Sequence, residues 1–107
     1  MERAVVYKYD FGDHSASMSK TDKDKLPKFI KKDVAVGAVV KWLGIKVVNS
    51  HVWAWALVRY DSVVENRTFV MAPTGYKMDF APEDLVHVGT FDETQWKHVW
   101  HVFEVKK

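Results

Sequence analysis

The sequence predicts an all-β fold, an antiparallel sandwich or small open barrel of about six strands with one long charged loop. Three observations carry this. Valine occurs 18 times and aromatic residues 15 times in 107 residues, a strongly strand-prone composition. Apolar residues alternate with period two in several segments, and no stretch sustains the helical period of 3.6. Turn signals separate these segments at short intervals. The length is that of a single domain, 1–107, with 48% hydrophobic residues, enough for one core.

The elements follow in order. Ala4 to Phe11 alternates, with Val5, Tyr7, Tyr9 and Phe11 on one side and Val6, Lys8 and Asp10 on the other. Residues 12–33 are rich in Lys, Asp and Ser and are expected to form a mobile loop, with Phe29 and Ile30 at the start of a short strand and Pro27 keeping any helical turn short. Val36-Gly37 reads as a turn into a strand over about 38–48, apolar on both faces, with Gly44 marking a bulge or a close backbone approach. Asn49-Ser50 then joins it in a hairpin to a strand over 51–60. That strand carries His51, Trp53, Trp55, Leu57 and Arg59 on one face and Val52, Ala54, Ala56, Val58 and Tyr60 on the other, so the alanine face is expected to meet something bulky. Residues 61–66 read as a loop, 67–72 as a short strand and Pro73 to Tyr76 as a turn. Pro82 excludes a central strand over 77–84. Leu85 to Phe91 and Trp96 to Val105 are the last two strands, joined by a loop of hairpin length.

Composition excludes several classes of chemistry. There is no cysteine, hence no disulfide, thiolate metal site or thiol nucleophile. No apolar run reaches the 18 or so residues of a membrane-spanning helix. Glu2 and Arg3 ahead of a strand-like stretch do not read as a signal peptide, and a cytoplasmic protein is expected. A net charge of +2 does not by itself announce a nucleic-acid partner. Neither a GxSxG elbow nor a Gly-rich phosphate loop occurs. His98 and His101, three apart, point to opposite faces of a strand and cannot hold one ion together. No metal and no cofactor is expected. Glu104, beside Phe103 in the last strand, reads as a solvent-facing strand end. Asn66-Arg67-Thr68 fits a glycosylation acceptor by accident of sequence.

Binding is the function left. Trp53 and Trp55 share a face with Arg59, and Trp96 and Trp100 share one with His98. Trp side chains fill cores, and at least three of the five are expected there; an exposed one marks an interface. Aromatics interleaved with cations also stack the bases of single strands. The Thr74-Gly75 turn has backbone amides that could cradle an anion, beside Tyr76 and with Arg67 as a further cation. The lysine-rich segment from Lys20 to Lys32 is expected to be a solvated loop that steers an acidic partner.

The order of motifs resembles a family of short uncharacterised proteins from bacteriophages and some bacteria, known only as a domain of unknown function. The resemblance rests on Tyr7-Lys8-Tyr9, Ala35-Val36-Gly37-Ala38-Val39-Val40, and His51-Val52-Trp53-Ala54-Trp55-Ala56-Leu57-Val58. It continues through Asn66-Arg67-Thr68-Phe69-Val70, Thr74-Gly75-Tyr76, His87-Val88-Gly89-Thr90-Phe91 and Val99-Trp100-His101-Val102-Phe103-Glu104. Residues 12–33 are longer and more charged than the pattern, and Tyr76 stands where the family more often has His. The resemblance implies an accessory phage protein and brings no catalytic residue.

The expectation is therefore a non-catalytic binding protein that occludes a host protein or assembles with itself, a dimer being simplest. The alternatives are a nucleotide or single-stranded nucleic-acid binder, and a small hydrolase built on His87, His101 and Glu104. The candidate binding residues are Trp53, Trp55, Arg59, Arg67, Thr74, Gly75, Tyr76, Trp96 and Trp100.

Overall fold

A computed structural model describes residues 3–13, 30–93 and 98–106. Among them, seven strands form two antiparallel sheets. Sheet A is β1 (Ala4–Asp13), β4 (His51–Arg59) and β3 (Val39–Val48), with β4 in the middle. Sheet B has the order β2 (Ile30–Val36), β5 (Glu65–Pro73), β7 (His98–Val105) and β6 (Leu85–Glu93). The sheets pack face to face without closing into a barrel, so the sandwich read from the sequence is the architecture found.

The hairpin turn lies where the sequence puts it. Asn49 and Ser50 have φ of +51° and +67°, the left-handed pair of a type I′ turn. It sets the register Val48↔His51, Lys46↔Trp53 and Gly44↔Trp55. Beyond Gly44 the register shifts, so Lys41 pairs with Leu57.

The alanine face of β4 is the inner one. Val52, Ala54, Ala56 and Val58 are buried, while Trp53, Trp55 and Leu57 are half-exposed. Each alanine is flanked by large neighbours: Tyr7 and Trp42 at Ala56, Tyr9 and Ile45 at Ala54. Small residues in the middle strand make room for aromatics from the edges. Phe11 stacks on Phe69 of the other sheet at 4.6 Å, and Trp42 meets both rings edge-on at 6.0 and 5.5 Å. Trp100 is fully buried and lies parallel to Phe91, 6.1 Å away.

At one side of the sandwich β3 meets β6. A Cβ at Gly89 would stand 2.6 Å from Ile45 Cγ1 and Cδ1, so only glycine lets the sheets close there. Gly89→Ala is expected to cost about 1–3 kcal/mol through overpacking. A urea midpoint equal to wild type would show that Ile45 simply swings aside.

Two expectations need correction. Residues 12–33 are not loop throughout: β1 runs on to Asp13, and Ile30 to Val36 form β2. β2 is an edge strand, and its outward positions are Lys31, Asp33 and Ala35, a charged edge that hides the strand period. Asp33 accepts a 2.8 Å hydrogen bond from Thr68 on β5. The rest of that segment, residues 14–29, lies outside the described residues. Glu104 is not a solvent-facing strand end. It points between the sheets and is almost fully buried.

Residues 74–84 return the chain from the end of β5 to the start of β6 at the opposite end of sheet B, through a 3₁₀ turn at Pro82–Asp84. Sheet A fills the inner side, so this return path passes over the outer one. Tyr76, Met78 and Phe80 are half-buried along it, alternating with exposed Lys77 and Asp79. Val70 and Ala72, which face outward from sheet B, are buried.

Candidate functional site

Residues 74–84 cross sheet B's outer face in part, leaving His87, Thr90 and Val99 exposed, and sheet A presents the more open face. Its centre is Trp53, Trp55 and Leu57 on β4. Directly paired residues point to the same side, so β1 adds Val6, Lys8 and Asp10, and β3 adds Val48, Lys46, Gly44 and Lys41. Val6, Val40, Leu43 and Val48 around it are 51%, 53%, 50% and 43% exposed. Aliphatic groups this exposed, next to two indoles, form a patch of the kind that marks a contact surface. The charge is predominantly positive, with Lys8, Lys41, Lys46 and Arg59 against Asp10 and Asp13.

The two indoles differ in their surroundings. Lys8 Nζ sits 4.4 Å from the Trp53 ring centroid, a cation–π contact. Trp55 faces Gly44 across the strands, and a Cβ at Gly44 would meet nothing within 4 Å. The position opposite Trp55 on β3 is therefore open space, with Lys46 and Lys41 on either side of it along the strand.

Asp10 closes one end of the face. Its Oδ1 accepts a 2.7 Å hydrogen bond from the Gly12 N–H, and the carboxylate lies 3.2 and 3.3 Å from His51 Nδ1. Gly12 has φ +94° and permits the β1 irregularity that brings this about. Burial raises the Asp10 carboxyl, but the Gly12 amide, His51 and Lys32 together outweigh it and hold the group below its ordinary value. A carboxylate held below its unfolded value stabilises the fold above that value and loses the contribution as the pH falls through the lowered one. Asp10→Asn should therefore flatten part of the stability loss as the pH falls below the ordinary carboxylate value of 3.8. The effect is small, since the side chain is 42% exposed. Urea midpoints across that range are the measurement, and parallel curves for the two proteins would contradict it.

The outer face of sheet B carries a line of hydrogen bonds. His87 Nε2 lies 3.0 Å from Thr90 Oγ1, which lies 3.3 Å from His101 Nδ1, and His101 Nε2 lies 2.7 Å from Thr74 Oγ1. The Thr74 hydroxyl also donates to the Val99 carbonyl at 3.3 Å. Glu104 is on the opposite face, where Arg67 Nη1 donates to its Oε2 at 3.0 Å. The three residues of the hydrolase alternative, His87, His101 and Glu104, thus do not converge. Among the described residues no group of three or more His, Asp or Glu could hold a metal ion.

Eight of the nine sequence-derived candidates fall in three places. Trp53, Trp55 and Arg59 share sheet A's outer face. Arg67 and Trp100 lie between the sheets. Thr74, Gly75 and Tyr76 form a turn beyond β5, with Gly75 at φ +91°. In it the Thr74 amide donates to Val99 O and the Tyr76 amide to Pro73 O. Trp96 lies outside the described residues. The residue reading missed Lys8, Lys41, Lys46 and Gly44 as parts of the site. Counting back from Asn49-Ser50 would have put Lys46 and Gly44 opposite the two tryptophans.

Residues 22–107 match the family model of the domain of unknown function DUF7352. The chain belongs to that family. No curated protein and no solved structure matches it. The DUF7352 match takes in β2 to β7, including Trp53, Trp55 and Gly44, and leaves out β1. The Tyr7-Lys8-Tyr9 strand of the sequence resemblance therefore lies outside the matched region, and Lys8 reaches the Trp53 ring from there. No helix among the described residues is long and apolar enough to cross a membrane.

Proposed function

We propose that this DUF7352 protein is a small, non-catalytic accessory protein that acts by binding, with the outer face of sheet A as its recognition surface. The observation that supports this is the open face itself: two half-exposed tryptophans and Leu57, ringed by exposed aliphatics and by lysines. Aromatic centres with polar rims are how binding surfaces concentrate affinity. The phage setting, a target in the bacterial host cytoplasm and action by occlusion rest on the sequence resemblance alone.

Charge directs the face to an acidic partner. Two copies pressed together through it would bring Lys8, Lys41, Lys46 and Arg59 against their counterparts, a like-charge cost that a partner of opposite sign avoids. A second reading, a nucleotide or single strand held by stacking, draws on the same tryptophans and lysines.

Co-purification from a bacterial host tests the reading. The tagged protein should retain a stoichiometric partner, protein or nucleic acid, and Trp53→Ala/Trp55→Ala should lose it while staying folded. Retention of the same partner by the double variant would place the recognition surface elsewhere.

A further inference from the structure

We infer that the outer face of sheet A takes single-stranded nucleic acid, with a base entering the space over Gly44 beside Trp55. This rests on the reading of that face as the recognition surface and names its partner.

Three observations combine. First, Trp55 pairs across the strands with Gly44, which carries no side chain, and a Cβ there would meet nothing within 4 Å, so the position opposite Trp55 is open space. Such a space fits a planar group better than a branched aliphatic one. Second, cations bracket it. Lys46 and Lys41 stand on either side along β3, and Lys8 pairs with Trp55 from β1. The occupant should be flat in the middle and negative on both flanks. A nucleotide within a strand has that pattern, a base with a phosphate on each side. An acidic peptide carries its charges at the ends of flexible side chains and supplies a plane between them only where an aromatic residue stands there.

Third, the aromatic spacing selects a single strand. Trp53 and Trp55 are two residues apart on β4, about 6.7 Å along the strand. Bases in a duplex strand are stacked at about 3.4 Å and offer only their edges. An open sheet face needs splayed bases, each with an exposed plane. The Lys8 ammonium over Trp53 occupies that ring in the free protein, so Trp55 is the first stacking position and Lys8 is left to meet phosphate.

The test is fluorescence anisotropy of a labelled oligothymidylate of about 12 nucleotides, within the span such surfaces cover. A duplex of the same length is the competitor. Wild type should bind the single strand in preference to the duplex, with affinity falling as salt rises. Trp55→Ala should weaken binding about 10- to 100-fold. Lys41→Glu/Lys46→Glu, which leaves the core untouched, should weaken it and flatten the salt dependence. Circular dichroism checks that each variant is folded.

Absence of binding at low salt, or binding indifferent to both variants, would overturn the inference. If the oligonucleotide is not bound while a co-purifying protein is lost on Trp55→Ala, the nucleic-acid inference falls and the recognition face stands. If nothing depends on Trp55, both fall.

Discussion

Trp100→Ala is expected to remove a large part of the protein's stability. The side chain is fully buried, stacked on Phe91, and shares its core with Phe11, Phe69 and Met71. Truncating a buried tryptophan costs about 3–5 kcal/mol, the lost transfer energy plus the cavity left behind. A small domain has only about 5–15 kcal/mol in total. The melting temperature should fall by about 10–30 °C, followed by circular dichroism. Trp55→Ala is the matched control, since that indole lies half-exposed on the outer face and leaves no cavity. A fall for Trp55→Ala as large as for Trp100→Ala would contradict the assignment of one tryptophan to the core and the other to the surface.

Glu104→Leu is also expected to be damaging, and its repair is informative. Glu104 is nearly buried between the sheets and accepts from Arg67, whose side chain is 32% exposed. Removing the carboxylate leaves a guanidinium partly desolvated without its charge partner. A fully buried pair broken this way costs about 3–5 kcal/mol. With Arg67 in partial contact with water, about 1–3 kcal/mol is expected. Replacing both, as Arg67→Met/Glu104→Leu, should recover most of the loss, because an apolar pair of similar size escapes the desolvation cost. Urea unfolding of the three proteins reads this directly. A double variant less stable than the single one would mean that the charges do more than compensate each other.

Much of the fold was legible because strand period and turn chemistry are local properties. Asn49-Ser50 fixed the hairpin, and the alternation of His51 to Arg59 separated an alanine face from a tryptophan face before any partner was known. The bulky layer expected over the alanines is Tyr7, Tyr9, Trp42 and Ile45 with sheet B behind them. The start of β2 at Ile30 was read, but its run on to Val36 was not, because an edge strand needs only one buried side and Lys31, Lys32 and Asp33 mask its period. Glu104 was misplaced because an isolated carboxylate next to Phe103 looks solvated; only the long-range approach of Arg67, 37 residues away in sequence, makes its burial tolerable.

The candidate site was half legible. Trp53, Trp55 and Arg59 were grouped correctly by parity. Their neighbours on β1 and β3 depend on the pairing of strands far apart in sequence, which residue types do not encode. Lys8 over Trp53 is the clearest case, since the two are 45 positions apart. The opposite error joined residues that look alike: Arg67 and Trp100 have the chemistry of a stacking site, but inward parity commits them to the interior.

The most direct single measurement is a proton–nitrogen correlation spectrum of the indole N–H resonances during titration with the oligothymidylate. The resonances of Trp53 and Trp55 should move together and saturate, while those of Trp42 and Trp100 stay in place. Movement of the Trp42 or Trp100 resonance without that of Trp53 and Trp55, or no shift at all, would contradict the assignment of binding to sheet A.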